Sequence, residues 1–121
     1  MVKSKDFKEN IQNIISQDYS IEFLGTKFEE ICRQLTDSKA EKIYDWISKV
    51  LEKKIQPISL ASNQNYKDWK VNELLIFRYP FIVSNVEYRI LFVKVKNSIY
   101  IEFHLGDHNY YDRTRKELNL K

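Results

Sequence analysis

The sequence contains one cysteine, Cys32, among its 121 residues. A single thiol cannot form an intrachain disulfide or supply a cysteine-rich zinc site, so both are excluded. A chain of this kind is expected in the cytosol, where thiols stay reduced. The first ten residues carry several charges and no continuous apolar stretch, which predicts the absence of a signal peptide.

Glycine and proline are also scarce, at two residues each. This scarcity leaves no glycine-rich phosphate loop, no flexible linker and no low-complexity tract. No run approaches the roughly 18 apolar residues that a membrane-spanning helix needs, so no membrane partner is expected. The length suits one domain over residues 1–121, with residues 1–18 as an N-terminal helical extension and residues 19–121 as the core.

The net charge is small, at +3, and the composition is 43% hydrophobic and 14% aromatic. Such a composition predicts a folded protein, and its charge permits nucleic-acid binding without requiring it. Both histidines, three of the five arginines and four of the eight tyrosines lie in the last third of the sequence, beside two β-rich runs. Arginine, histidine and tyrosine together can bind a phosphate and move a proton, so this third is where chemistry is expected.

Apolar residues recur with helical spacing in the first half of the chain. Residues 4–16 form one predicted helix, with Ser4 as its N-cap. A second follows Gly25, with Thr26 and Glu29 arranged as a capping box. Thr36 or Asp37 caps a third helix, which runs to about residue 51.

The remaining segments predict strands, turns and a terminal helix. The predicted strands are Tyr19–Leu24, Val71–Tyr79 (ended by Pro80), Val86–Val95 and Ser98–Leu105. The predicted connections are a loop at Ser59–Asp68, a turn at Phe81–Asn85 and a hairpin turn at Lys96–Asn97. A short helix at Asn109–Leu118 completes the chain, with Leu118 and Leu120 packing back. This succession predicts an α+β fold whose largely antiparallel sheet packs against two helices.

The last predicted strand has one apolar and one polar face. Ile99, Ile101, Phe103 and Leu105 share the apolar face, and Tyr100, Glu102 and His104 share the polar one. If the apolar face packs on the helices, the polar face is expected to lie open to solvent.

Arg89 lies between apolar neighbours in a strand expected to be central, where an unpaired guanidinium is costly to bury. One interpretation is a salt bridge with Glu87, Glu102 or Asp107. The other is a phosphate clamp that uses the paired donors of the guanidinium.

The other polar candidates each have a structural and a functional interpretation. Three interpretations apply to His104 and His108: surface residues without a role, ligands of a metal together with Asp107, or a general acid–base. For the last role His104 is better placed, because it ends a strand. Tyr110 and Tyr111 pack the terminal segment, or one of them stacks on a base. The residues Arg113, Arg115 and Lys116 line a solvated helix face or, with Lys94, Lys96 and Arg89, follow a phosphate backbone.

The order of elements and several short sequence motifs resemble those of the RelE/ParE superfamily of bacterial toxins from toxin–antitoxin modules. The resemblance covers roughly Tyr19–Leu118. It rests on a strand, two helices and a three-stranded meander, on Glu87-Tyr88-Arg89-Ile90-Leu91-Phe92, and on Asn97-Ser98-Ile99-Tyr100-Ile101 followed by a polar segment with tyrosine.

This resemblance implies a RelE-like fold and an endoribonuclease that cuts mRNA on the ribosome by attack of the RNA's own 2′-OH, without a metal or cofactor. The implied catalytic residues are Arg89, His104 and Tyr111. The implied RNA-binding residues are Arg78, His108, Tyr110, Arg113 and Arg115. The implied partners are an antitoxin protein, the mRNA and the ribosome, with a homodimer as a further expectation.

Three features depart from the family's pattern. The helix before Tyr19 is additional, the loop Ser59–Asp68 is long, and Asp107 stands where many ribosome-dependent members carry a basic residue. ParE-like members share the fold and act on DNA gyrase, so fold alone does not decide the activity. The alternative function is therefore a non-catalytic binding module, either a gyrase-inhibiting toxin or a protein-interaction domain.

Overall fold

The computed structural model of the chain describes residues 3–16, 18–57, 59–61, 74–95 and 100–117. Its elements in chain order are α1 (Ser4–Ile15), β1 (Ser20–Gly25), α2 (Phe28–Gln34), α3 (Asp37–Leu51), β2 (Ser59–Ala61), β3 (Leu74–Val83), β4 (Val86–Val95), β5 (Tyr100–Asp107) and α4 (His108–Glu117). The α+β class is confirmed, and so is the predicted succession of elements, apart from the additional short strand β2.

The strands form one five-stranded mixed sheet in the order β1-β5-β4-β3-β2. The pairs β2–β3, β3–β4 and β4–β5 are antiparallel, and β1 runs parallel to β5. The predicted, largely antiparallel sheet is therefore confirmed. Strand β5 lies between β1 and β4, so on each face of the sheet its side chains have neighbours from both strands.

The main hydrophobic core lies between one face of this sheet and the first three helices. The fully buried side chains of β4 and β5 on this face, Phe92, Ile101, Phe103 and Leu105 among them, pack with those of α2 and α3. Burial of large apolar side chains of this kind contributes about 1.5–3 kcal/mol each. This face is called the helix face below.

Helix α1 is part of the core rather than an appendage to it. Its predicted stripe is buried, with Phe7 and Ile11 fully inaccessible and Ile15 nearly so. The ring of Phe7 lies 5.8 Å from Tyr44 and 6.1 Å from Phe103, centroid to centroid. These three side chains are therefore covered within the chain, and Ile14 is half-buried against the same core.

One of the predicted helix caps is confirmed and two are wrong. Ser4 is the first residue of α1 and not its N-cap, because Lys3 holds that position without a side-chain hydrogen bond. The side chain of Thr36 accepts a hydrogen bond from the Lys39 amide at 3.2 Å and caps α3. Helix α2 instead starts after Lys27, which adopts the left-handed conformation and provides no side-chain cap. The capping box predicted for Thr26 and Glu29 is absent because the left-handed turn at Lys27 shifts the helix start by one residue.

Strand β3 does not end at Pro80, as predicted, but continues through it to Val83. The carbonyl of Ile82 accepts a hydrogen bond from the Lys39 ammonium at 2.6 Å, so it points away from β4. Alternate residues of a strand point their backbone groups the same way, so Pro80 also faces outward and removes no hydrogen bond to β4. Beyond Ile76, no strand in the described part of the chain pairs with this outer edge. Proline is tolerated there because the edge needs no donor.

Three other predicted boundaries change. Ser59–Ala61 is strand β2 and not part of a loop. The predicted turn at Phe81–Asn85 narrows to Ser84 and Asn85, whose φ values of 51° and 66° match a type I′ hairpin. The terminal helix is His108–Glu117. The predictions for residues 62–73, 96–99 and 118–121 lie outside the described residues.

None of the helices in the described ranges combines the length and the apolar character needed to span a membrane.

Gly25 supports the contact between β1 and β5, and we predict that Gly25→Ala destabilises the protein by about 3 kcal/mol. A β-carbon at Gly25 would lie 1.9 Å from the backbone oxygen of Leu105, and the φ of +156° is itself unfavourable for other residues. Urea unfolding measures the change. The control Ser20→Ala, at an exposed position of the same strand, should stay within about 0.5 kcal/mol of the wild type; equal stability of the two variants would contradict the assigned β1–β5 contact.

Burial raises the pKa of the Cys32 thiol to about 12. Of the nearby charges, Lys8 lowers this pKa and Glu29 raises it, each by a smaller amount. We predict that a thiol reagent at pH 8 modifies Cys32 only in the unfolded chain, because the thiolate is the reactive form. Since the folded-state pKa is raised, the stabilisation by the neutral thiol is present below pH about 8.5 and declines as the pH rises towards 12. Rapid modification without urea would show that Cys32 is accessible.

Candidate functional site around helix α4

The polar face of β5 is buried, which corrects the expectation that it lies open. Glu102 is 0% exposed and His104 is 3% exposed. The reason is helix α4, which packs across this side of the sheet and buries Tyr111 and Thr114 of its own. This side of the sheet is called the α4 face below. Sequence alternation placed the side chains on the right face but did not show what covers it.

A chain of hydrogen bonds connects β5 to α4. The hydroxyl of Tyr110 lies 2.7 Å from His104 Nδ1, and His104 Nε2 lies 2.7 Å from Glu102 Oε1. When the phenol donates to Nδ1, Nε2 carries the imidazole proton and donates it to the carboxylate of Glu102. Both ring nitrogens of His104 are therefore engaged within the protein. These three hydrogen-bonded side chains, Tyr110, His104 and Glu102, are called the proton relay below.

Local geometry fixes the position of Tyr110. Its backbone amide donates to Asp107 Oδ1 at 2.9 Å, and its carbonyl accepts from the Thr114 hydroxyl at 3.0 Å. A β-carbon on Gly106 would lie 2.7–2.8 Å from the side chain of Tyr110, so only glycine leaves room for this ring. Burial raises the pKa of Tyr110, so its phenol ionises at a higher pH than an exposed tyrosine.

A second tyrosine–carboxylate pair flanks the relay. Tyr100 donates a hydrogen bond to Glu22 Oε2 across the β1–β5 pair. Burial, followed by this hydrogen bond to Glu22, raises the pKa of the Tyr100 phenol. Glu22 is in register with Glu102, so two carboxylates are neighbours on this face.

The relay ends in a cleft between β1 and α4. The cleft has a volume of about 280 Å³. It is lined by Leu24, Thr26, His104, Tyr110, Arg113, Thr114 and Glu117. The guanidinium of Arg113 lies 5.9 Å from the centre of the Tyr110 ring and forms no ion pair with a carboxylate of the described residues. The hydroxyl of Thr26 is buried without a hydrogen-bond partner there. The cleft thus holds one guanidinium, from Arg113, beside one carboxylate, from Glu117, and a guanidinium without an ion pair suits an anionic group.

Arg89 lies on the other side of α4 and is engaged in a salt bridge. Its Nε and Nη2 atoms both lie 2.9 Å from Glu87 Oε1, which realises one of the two interpretations given to Arg89. Its guanidinium also lies 4.7 Å from the centre of the Tyr111 ring. Arg115 lies over the same ring at 5.6 Å. The ring of Tyr111 is 3% exposed and packs with Leu91, Val93 and other sheet residues.

The remaining predicted residues lie further from the relay. Arg78 is exposed on β3, in the same cross-strand row as His104 but two strands away. His108 is exposed at the start of α4, with Nε2 3.3 Å from Asp112 Oδ2. His108 and Arg89 both line a shallow, open cleft of about 440 Å³ on that side of the helix.

The structure thus divides the predicted site residues into two groups around α4. His104, Tyr110 and Arg113 meet at the β1 side, and Arg89, Tyr111, Arg115 and His108 lie at the β4 side. No group of three or more metal-binding side chains occurs among the described residues.

Glu102 and Thr26 were not among the predicted site residues. Glu102 had a usable signal, because it is two residues before His104 and therefore on the same face of the strand. Thr26 had none, since only the parallel pairing of β1 with β5 brings the chain after Gly25 to this cleft.

Comparison with known proteins found no matching family model, no matching curated protein and no matching solved structure.

We predict that Tyr110→Phe makes the free energy of unfolding fall less steeply as the pH is raised above about 10. The folded-state pKa of Tyr110 is raised, so its stabilising effect is complete below pH about 10 and declines as the pH rises through the folded-state value. The phenylalanine variant should be less stable at pH 7, because it lacks the hydrogen bond to His104. Urea unfolding from pH 7 to 11 measures both slopes. Parallel curves for the two proteins would show that Tyr110 titrates as it does in the unfolded chain.

Proposed function

We propose that this protein is a RelE-like toxin, an endoribonuclease that cleaves mRNA on the ribosome without a metal and is neutralised by an antitoxin. The observation that carries the proposal is the cleft between β1 and α4, where the proton relay and the guanidinium of Arg113 meet. The order of elements around the sheet also supports it, because a strand, two helices and a meander are what the resemblance implied.

The cleft would hold the scissile phosphate. Arg113 lies at this cleft free of ion pairs with the carboxylates that the structure describes, whereas Arg89 is already paired with Glu87. A guanidinium can donate two parallel hydrogen bonds to phosphate oxygens, and their charge would strengthen as the phosphorane develops. In this proposal Arg113 carries the role that the sequence assigned to Arg89.

Cleavage would proceed by in-line attack of the ribose 2′-oxygen on the adjacent phosphorus. The new bond joins the 2′-oxygen to phosphorus, and the bond from phosphorus to the 5′-oxygen breaks. One proton leaves the 2′-OH and one joins the departing 5′-oxygen, which yields a 2′,3′-cyclic phosphate and a 5′-OH end. Tyr110 would exchange a proton with the reacting oxygens, and His104 would act as its proton partner with Glu102 stabilising the imidazolium.

The β4 side of α4 would bind the RNA backbone on either side of the cut. Arg89 and Arg115 both lie over the buried ring of Tyr111, which holds two cations on one surface. Arg78 extends this surface along the sheet. Tyr111 would orient these arginines, because its own ring is covered.

We predict that Arg113→Gln and Tyr110→Phe each lower the cleavage rate by about 10²–10³-fold, as expected for loss of a preorganised donor to a developing anion. The assay uses purified protein with mRNA-programmed ribosomes and maps RNA 5′ ends, with chemical analysis for 2′,3′-cyclic phosphate. Arg33→Gln is the matched control, because Arg33 is exposed on α2 and remote from α4 in the chain.

Thermal unfolding of every variant separates loss of activity from loss of folding. A folded Arg113→Gln variant with wild-type cleavage would contradict the placement of the phosphate. A folded wild-type protein that cuts neither free nor ribosome-bound mRNA would contradict the enzymatic function as a whole.

The burial of His104 favours one alternative, a non-catalytic binding module such as a gyrase-inhibiting toxin or a protein-interaction domain. In that case Glu102, His104 and Tyr110 only attach α4 to the sheet. Expression of the protein would then arrest growth with a DNA-damage response and no new RNA ends, or would not arrest growth at all.

A further inference from the structure

An apolar cleft of about 280 Å³ opens on the helix face, where α3 ends beside β3 and β4. Its lining is mostly apolar and comes from Val50 and Leu51 of α3, from Ile55 and Pro57 after the helix, and from Leu75 and Phe77 of β3. The relay and Arg113 lie on the opposite face of the sheet. Occupancy of this cleft can therefore be measured independently of RNA cleavage.

Two lysines at the cleft have no counter-charge among the described residues. Lys94 stands on the helix face of β4, opposite Leu75, with its ammonium 5.5 Å from the centre of the Tyr19 ring. Lys53 follows α3 in a left-handed turn with a φ of 62°. Neither lysine forms an ion pair with a described carboxylate.

Two lysines nearby in the chain, Lys49 and Lys54, do form ion pairs. Lys49 lies 2.9 Å from Asp45, and Lys54 lies 2.7 Å from Glu52. Asp45 and Glu52 thus compensate two lysines that do not line the cleft. The carbonyls of Ser48, Lys49 and Val50 accept backbone hydrogen bonds from the residues that follow α3, so these three are not free acceptors for an incoming group.

We propose that this cleft docks an acidic segment of a partner protein, which inserts one large apolar side chain between α3 and β3 and places a carboxylate near Lys53 and Lys94. The volume falls just below the range of about 300–1,000 Å³ that is usual for small-molecule sites. It suits a single buried anchor residue, and such anchors contribute most of the binding energy at protein interfaces. The two lysines add charge complementarity and set the sign of the partner.

The experiment titrates the isotope-labelled full chain with a short acetylated peptide that has one phenylalanine between glutamates, and follows backbone NMR shifts. Saturable shifts are expected at Leu51, Ile55, Leu75 and Phe77, with none in α4. Matched peptides replace the glutamates with lysines or the phenylalanine with alanine, and both should bind at least about tenfold more weakly.

The variant Lys53→Met/Lys94→Met keeps the apolar stems and removes both charges, and it should weaken binding of the acidic peptide about fivefold. Lys42→Met is the control, at an exposed position of α3, and should leave the affinity unchanged. Equal binding of acidic and basic peptides would overturn the proposal, and so would shifts that the double variant leaves intact.

A second arm uses 4-phenylbutyrate, which carries the same apolar group and carboxylate in a small molecule. Tighter binding of 4-phenylbutyrate than of the peptide would identify a small-molecule site and overturn the docking of a protein segment. Absence of any saturable shift with either probe would also overturn the proposal, since it would show that the cleft does not accept an apolar anchor.

Discussion

The hydrogen-bonded chain from Glu102 through His104 to Tyr110 determines where the last helix lies. A carboxylate and an imidazole on a central strand cannot be covered by an apolar helix without a large desolvation cost. They can be covered by a helix that supplies a hydroxyl at the right position, and Tyr110 does so 2.7 Å from His104 Nδ1. The apolar contact of Tyr111 with Leu91 then completes the attachment. The position of α4 in turn creates both the cleft at β1 and the basic surface at β4.

The two glycines of the chain are both used to bring this arrangement together. At Gly25 the backbone of β1 approaches the Leu105 carbonyl so closely that no side chain fits. At Gly106 the missing side chain leaves space for the Tyr110 ring. One glycine thus seats β1 beside β5, and the other seats α4 on β5. Because β1 and α4 are the two walls of the cleft, both glycines stand next to the candidate site although neither lines it.

Much of the fold could be predicted from periodicity, because the side chains of each element have one dominant environment. The stripe of α1, the cap at Thr36 and the alternation in β4 and β5 all follow from local patterns. Pro80 misled the prediction because a proline ends a strand only where its missing donor is needed. The outward direction of its nitrogen depends on the register with β4 and on the contact of Ile82 with Lys39. Neither can be read from the chain near Pro80.

The candidate site was predicted less well than the fold, and the arginines show why. Arg89 was singled out because it stands between apolar neighbours, yet that same setting favours a stable pair with Glu87, two residues away on the same face. Arg113 has Glu117 four residues further along its helix and at the same cleft, yet it forms no ion pair with a described carboxylate. Sequence identified the charged residues that could bind an anion, but availability depends on which carboxylates fold beside them. The cations chosen in the two proposals, Arg113 and the lysines of the apolar cleft, are therefore those that lack an ion pair with a described carboxylate.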